Sequence, residues 1–444
     1  MSDLFIIGAS GTKAYRSAMA AISENITNAS TEGYTRRSVT TVEAGSSTAT
    51  MAMYIARTNF GGTEVKSVNR ATDPYLDAAV RATNMALGSS TARLRWLSDS
   101  ETALNDTETG VGQLLTGMYQ NMDKLAASPN DNSLRVTTLD GISRVAQAFQ
   151  QTAGDLQQVS NGIATEAQSS VATINHALSV LADINNSLLR AQPGTSAYAQ
   201  LLDSRDAALG TLSSNLNIDI GFGTHDQANV TLNGQSLVQG STATTLAVTA
   251  NSDGTLALAT GDGTALAAPA NGTLGGLFSA ADTVTQRRTS LDALAVQFVT
   301  KMNDWHAQGV TDAGAAGAPL LSGTNAATVT ALITDPRQFA TKSSDGTANG
   351  NLLTVSATLR GNGSVEQGWT SLVAAQANLL SSTKAEQTTA QNRSDQAVAA
   401  REAVSGVDLD MEAADLLRVQ QAYSGCAKIL QVAKETVDAI LQIM

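Results

Sequence analysis

Hydrophobic residues recur in alternating three- and four-residue steps at both ends of the chain, a pattern typical of one buried helix face. At the N-terminal end this stripe contains Leu4, Ile7, Ala14 and Ala18, and Ile22 lies on the adjacent apolar stripe. At the C-terminal end it contains Leu416, Tyr423, Leu430, Val437 and Leu441. Wide apolar stripes need a partner surface, so the pattern predicts terminal helices that pair as a coiled coil and form a self-assembly seam.

The longest periodic stretch is internal and keeps strict four-three steps from Ile142 to Leu188. It predicts one helix of roughly 70 Å at 1.5 Å per residue. Further helical patterns cover residues 75–105, 110–127, 197–215, 275–308 and 366–404. The middle of the chain is therefore expected to be a bundle of long helices.

One region, from 216 to 272, changes to a two-residue period. Asn233-Gly234 and Asp253-Gly254 lie between alternating runs there, which is the strongest short signal for β hairpins. A second irregular stretch, 309–365, is expected to hold a strand or two and a loop. The predicted fold class is mainly α with an inserted antiparallel β module.

These elements predict three domains. Residues 1–35 with 405–444 form the terminal coiled-coil domain. Residues 36–215 with 273–404 form the long-helix bundle, and 216–272 form the inserted β domain. Asp408 or Asp410 is placed to cap the C-terminal helix.

Composition narrows the possible functions. The chain has 444 residues, of which 42% are hydrophobic and 15% are charged, and its formal net charge is −12. The negative charge argues against binding to nucleic acid or to an anionic membrane surface. A single cysteine, Cys426, excludes an intrachain disulfide, and the N-terminal residues lack the basic region of a cleaved signal peptide.

Candidate chemistry is sparse. Two S-x-x-K sequences, at 10–13 and 381–384, lack the companion motifs of the catalytic version and are interpreted as polar helix surface. Asp408, Asp410 and Glu412 could suggest a cation site, but capping and the helix dipole explain them better. No catalytic residue, metal ligand or cofactor site is predicted, and the chain is not expected to be an enzyme.

Two terminal motifs resemble those of the bacterial flagellar rod and hook axial family. The first matches N-I-x-N-x-x-T-x-G-Y-T-R with Asn25, Ile26, Asn28, Gly33, Tyr34, Thr35 and Arg36. The second matches S-G-V-N/D-L-D-x-E with Ser405, Gly406, Asp408, Leu409 and Asp410, although Met411 departs from an acidic position. The internal L-D-x-R-D motif is similar to residues 202–206, and Gly-Tyr-Thr-Arg resembles the hook-filament junction members.

The resemblance implies a structural component of the bacterial flagellum, exported by the type III route and located outside the cell at the hook-filament junction. The implied partners are copies of itself, the hook protein, hook-associated protein 3 and an export chaperone that binds the C-terminal helix. No cofactor, nucleic acid or membrane insertion is implied.

Two alternatives remain open. A hook or distal-rod axial protein shares both terminal helices but normally lacks Thr35-Arg36. A flagellar hydrolase would need a carboxylate or Cys/His site within 216–365, and none is found there.

Overall fold

The computed structural model describes residues 2–31, 33–44 and 61–443. Glu32 of the N-terminal motif and residues 45–60 of the predicted bundle lie outside the described residues. The chain divides into two compact units. Unit 1 comprises Met1–Met85, Ile174–Thr245 and Gln391–Met444, and unit 2 comprises Ala86–Thr173 and Leu246–Ala390.

Helices account for most of the described chain. They are α1 (Ser2–Thr27), α2 (Pro74–Ala103), α3 (Val111–Ala127), α4 (Asn132–Arg190), α5 (Ser196–Asn215), α6 (Gly272–Gln308), α7 (Val355–Thr358), α8 (Val365–Ser405) and α9 (Leu409–Ile443). The predicted mainly helical class is confirmed.

The strands are short and form antiparallel sheets. They are β1 (Arg37–Glu43), β2 (Thr63–Arg70), β3 (Asp219–Phe222), β4 (Ala228–Leu232), β5 (Gln235–Gln239), β6 (Thr242–Ala243), β7 (Leu246–Ala250), β8 (Leu256–Thr260), β9 (Ala265–Leu266), β10 (Leu321–Ser322) and β11 (Thr330–Ala331). The sheet orders are β1-β2, β3-β4-β5-β6, β7-β8-β9 and β10-β11.

Helix α4 has 59 residues and begins ten positions before the periodic stretch that predicted it. The carboxylate of Asp131 caps its start, because Oδ1 accepts hydrogen bonds from the backbone N–H groups of Ser133 (2.8 Å) and Leu134 (3.3 Å). Such a cap satisfies amides that have no partner in the first turn. The sequence pattern located the buried face of α4 but not its capped N-terminal end.

Unit 1 contains the pair formed by α1 and α9. Residues early in α1 lie against residues late in α9, since Leu430 packs at Gly8, whereas Asn25 contacts Glu412. The two helices are therefore antiparallel. The hairpin β1-β2 follows α1, with a register shift between Thr40 and Thr41.

The sheet β3-β6 in unit 1 is attached to the last part of α4 through Asn185. The Asn185 amide nitrogen donates to the carbonyls of Ala228 (2.8 Å) and Gly240 (2.7 Å), and its oxygen accepts from the Ala228 N–H (2.9 Å). Asn185 is fully buried. One side chain thus completes the hydrogen bonding of two strand ends.

Unit 2 has a continuous apolar core between α3, α6, the first part of α8 and the unit 2 part of α4. The rings of Phe149 and Phe298 lie 5.7 Å apart within it. The buried imidazole of His306 stacks on Phe339 at 5.6 Å. Its Nδ1 lies 2.6 Å from the Ala318 carbonyl, and its Nε2 accepts from the Ala340 N–H at 2.8 Å.

The region predicted as one β module, 216–272, consists of two sheets whose strands fall in different units, β3-β6 in unit 1 and β7-β9 in unit 2. The Asn233-Gly234 and Asp253-Gly254 pairs occupy the β4-β5 and β7-β8 connections, as predicted. The hairpin β1-β2 lies inside the predicted bundle and was missed. The three-domain division itself stays a prediction.

Candidate assembly site

The helices α1 and α9 approach closely because glycines face larger side chains. A Cβ atom on Gly8 would lie 2.7 Å from Leu430 Cγ, and one on Gly11 would lie 2.6 Å from Cys426 Sγ. Only a hydrogen side chain permits this separation, so these glycines set the distance between the helices. Cys426 is half-buried against α1 and packs there as a small apolar group.

The predicted seam residues lie along this pair but differ in burial. Ala14 and Ile22 are buried. Half-buried members are Ile7, Ala18, Leu416, Tyr423, Leu430 and Val437. Leu4 and Leu441 are exposed at 43% and 65%. The most buried apolar side chains of α9 are Val419 and Ala433, which lie three positions after the half-buried seam residues Leu416 and Leu430.

Apolar surface stays uncovered at the end of the pair that contains the start of α1. Phe5 and Ile6 are exposed, as are Val432 and Ile440 on α9. Beside them runs an apolar groove lined by Leu4, Gly425, Lys428, Ile429 and Val432. The surface of the α1-α9 pair is therefore not fully covered within unit 1.

At the other end of the pair a polar cluster joins the helices. The Glu412 carboxylate, only 1% exposed, accepts from Arg36 Nε at 2.6 Å and from Asn25 Nδ2 at 3.0 Å. A buried carboxylate needs such partners, because an unpaired buried charge is strongly destabilising. Asp415 adds a longer contact of 3.8 Å to Arg36. We call the set Asn25, Tyr34, Arg36, Arg37, Arg70, Asp203, Asp206 and Glu412 the signature cluster.

Asn25 is the centre of the signature cluster. Its Nδ2 also donates to the Arg37 carbonyl (2.8 Å), and its Oδ1 accepts from the Arg37 N–H (2.9 Å) and the Tyr34 hydroxyl (2.9 Å). Burial raises the pKa of Tyr34 to about 12, so its hydroxyl keeps the proton that it donates. One amide thus fixes the turn after α1 and connects it to Glu412 of α9.

The L-D-x-R-D segment on α5 supplies the remaining carboxylates. Arg37 Nη2 pairs with Asp203 at 2.9 Å, and Arg70 pairs with Asp203 at 2.7 Å and with Asp206 at 2.7 Å. Arg37 and Arg70 are each less than a tenth exposed. The two ends of the hairpin β1-β2, at Arg37 and Arg70, are therefore held on α5 by shared carboxylates.

Other motif residues shape the backbone around the signature cluster. Buried Thr35 accepts from Arg70 Nη2 at 3.2 Å, and the carbonyl of buried Ser405 accepts from the Arg36 N–H at 2.9 Å. Gly33 has a φ of 79°, which favours glycine. Asp408 Oδ1 caps α9 by accepting from the N–H groups of Asp410 (2.9 Å) and Met411 (3.1 Å).

The remaining motif residues stay outside the cluster. Asn28 donates from its side chain to the Glu24 carbonyl at 2.9 Å, and Gly406 N–H donates to the Glu402 carbonyl at 2.8 Å, which terminate α1 and α8 locally. Ile26 is half-buried, whereas Leu409 and Asp410 are exposed. The carboxylate of Asp410 is exposed, whereas that of Glu412 is buried. This difference argues against a cation site shared by the two.

Sequence reasoning missed Glu412, Arg37, Arg70, Asp203 and Asp206 as members of one site. The motif matches identified the segments, but no periodicity indicated which of their charged side chains would meet. The available signal was the position of Asn25 on the apolar side of α1, because a buried amide there needs a polar partner. Within the described ranges, no group of three or more His, Cys, Asp or Glu is arranged to hold a metal ion.

The family model "Flagellar hook-associated protein FlgK helical domain" matches residues 97–321, and "Flagellar basal body rod FlgEFG protein C-terminal" matches residues 402–443. The second match contains Ser405, Asp408 and Glu412. None of the helices in the described residues is both long and apolar enough to cross a membrane.

Similar proteins carry related names. Flagellar hook-associated protein 1 of Bacillus subtilis is 25% identical over 494 aligned residues, which cover 97% of this chain and 96% of that protein. The protein of that name from Salmonella typhimurium is 27% identical over 335 residues, covering 72% of this chain and 60% of that one. Among solved structures, the flagellar hook junction protein FlgK from Burkholderia pseudomallei has a TM-score of 0.51 and 23% identity, covering 55% of this chain and 46% of that one.

Proposed function

Because the chain belongs to the flagellar hook-associated protein FlgK family, we propose that it assembles as a ring at the hook-filament junction and connects the hook to the filament. A structural role in motility fits the mainly helical fold. This chain aligns with 60% of the length of the Salmonella relative. We therefore argue the role from the surfaces of this chain itself.

One observation carries the proposal. Three motif segments that are far apart in sequence meet in the signature cluster, which fixes α1 against α9 while apolar side chains stay uncovered at the opposite end of the pair. Exposed apolar patches bordered by polar residues are typical of interaction surfaces. The α1-α9 pair thus offers a rigid, incompletely covered surface, which is what stacking of identical copies requires.

The partners follow from the same proposal. We propose that copies of this chain cover the exposed side of α1 and α9, with the hook protein on one side of the ring and hook-associated protein 3 on the other. An export chaperone would bind the C-terminal helix before assembly, because the apolar face of α9 needs a partner whenever α1 is not packed on it. The site of action would be outside the cell, after type III export.

Electron microscopy of a strain that lacks the gene tests the proposal. We expect hooks of normal length without filaments, and restored filaments when the wild-type chain is supplied from a plasmid. Filaments that still grow from the hooks of the deletion strain would show that the junction role is wrong.

The same strain discriminates the alternatives. A hook or distal-rod protein predicts that hooks themselves are lost, whereas a wall hydrolase predicts lost activity on isolated cell wall. Neither the geometry of the described residues nor the names of the relatives favours the hydrolase.

A further inference from the structure

Arg81 on α2 is a charged side chain of unit 1 that has no acceptor in the part of the chain that the structure describes. It is half-buried, and its guanidinium makes no hydrogen bond or ion pair with any of the described residues. A guanidinium carries five N–H donors, and burial removes part of the water that would otherwise serve them. The loss of hydration is large enough that burial lowers the pKa of Arg81.

The carboxylates that act electrostatically on Arg81 already bind other arginines. Asp77 accepts from Arg401 Nε at 2.8 Å, and Asp206 pairs with Arg70 and Arg205, both at 2.7 Å. The positive charges of Arg205 and Arg401 also act on Arg81 and oppose its own charge. Both carboxylates that act on Arg81 are therefore paired with other arginines, and the half-buried charge of Arg81 has no ion pair of its own among the described residues.

We propose that Arg81 is an intermolecular contact residue that binds a carboxylate of a neighbouring copy of this chain in the assembled ring. This inference rests on the proposed function, since it needs copies side by side. The chain has 39 acidic residues against 27 basic ones, so a second copy carries more carboxylates than cationic side chains. Arginine binds carboxylates with two parallel hydrogen bonds, which fixes orientation as well as affinity.

The direct test is a photo-crosslinking amino acid at position 81 of the full-length chain, in hooks isolated after irradiation. Mass spectrometry should identify a crosslink to an acidic segment of the same chain. A crosslinker at position 393 is the matched control, because Arg393 is an exposed arginine of unit 1 that also has no partner among the described residues. A crosslink from position 81 only to another flagellar protein, or none at all, overturns the inference.

Substitutions give an independent readout in the deletion strain. Arg81→Glu should reduce the number of filaments per cell about tenfold, because it places a carboxylate at position 81 against the carboxylate of the neighbouring copy. The number of filaments in Arg81→Lys should lie between that of Arg81→Glu and that of the wild type. Arg393→Glu should leave filaments unchanged. The melting temperature of purified Arg81→Glu monomer should stay within about 2 °C of the wild type, since no internal partner is lost.

The outcomes separate the two proposals. If the deletion strain lacks filaments but Arg81→Glu restores them as fully as the wild type, the inference about Arg81 alone is wrong. If the deletion strain keeps its filaments, the junction role is wrong and the inference falls with it. A melting temperature that drops sharply in Arg81→Glu would assign Arg81 to the stability of unit 1 instead.

Discussion

Glu412 is the residue that connects the turn after α1 to α9. Replacing it by alanine removes the acceptor of Arg36 Nε and of Asn25 Nδ2, and leaves a partly buried guanidinium without its closest partner. We expect Glu412→Ala to destabilise the α1-α9 pair by about 3 kcal/mol. Hydrogen exchange of the amides at 409–423 measures this loss.

The matched control is Asp410→Ala, in the same turn of α9 but with an exposed carboxylate. Its effect should stay below about 0.5 kcal/mol. Equal exchange rates in the two variants would mean that the signature cluster does not hold the helices together.

His306 makes the stability of unit 2 depend on pH. Burial lowers the pKa of this imidazole, and Nε2 must stay unprotonated to accept from the Ala340 N–H. The pKa of His306 in the folded chain lies below the unfolded value of about 6.5, so between these two values the unfolded chain binds more protons than the folded one. The stability of unit 2 therefore falls as the pH drops below about 6.5. The slope should approach about 1.4 kcal/mol per pH unit at most.

The measurement is the thermal unfolding of the wild type and of His306→Gln between pH 8 and pH 5. The wild type should lose stability faster than the variant on acidification, whereas His176→Gln, which alters an exposed histidine, should follow the wild type. Parallel curves for wild type and His306→Gln would contradict the neutral imidazole.

At the level of elements, two glycines in the α1-α9 pair should respond oppositely to alanine. Gly8→Ala gains helix propensity but forces its Cβ into Leu430, so we expect a net loss of about 1 kcal/mol. Gly425 has open space around its Cβ position, and Gly425→Ala should stabilise α9 by about 1 kcal/mol. Chemical denaturation followed by helical circular dichroism distinguishes the signs; two gains would show that α1 does not pack closely on α9.

The elements also show how far sequence patterns reach. Helices such as α4 and α6 follow from four-three spacing, because burial of one face alone fixes that spacing. The hairpin β1-β2 was missed because Val39 and Val42, like Val65 and Val68, are three residues apart, so neither strand shows the two-residue alternation that predicts a strand. The contact of Asn25 with Glu412 has no local pattern at all, because it depends on how distant segments meet.

At the scale of the whole molecule, exposed apolar side chains should matter by location. Leu441 on α9 and Leu353 in unit 2 are both 65% exposed. Leu441→Asp should abolish filaments while leaving the melting temperature of the monomer within about 2 °C, since little internal contact is lost. Leu353→Asp should change neither the filaments nor the melting temperature. Electron microscopy measures the filaments of both variants, and calorimetry measures their melting temperatures.

Loss of filaments in both variants would mean that assembly surfaces extend beyond the α1-α9 pair. Filaments in both would mean that Leu441 stays exposed in the ring. The second result would remove the basis for placing the seam on α9.

The connection between Asn25 and Glu412 has a kinetic consequence. The two residues are 387 positions apart, so closing that loop in an otherwise disordered chain costs roughly 5 kcal/mol of chain entropy. Once the intervening helices have folded, the effective loop is far shorter and the cost falls. The contact should therefore form late, after the interior is in place. A chain interrupted anywhere before residue 412 has no carboxylate to give Arg36, so the finished α1-α9 pair distinguishes copies that contain Glu412 from copies interrupted before it.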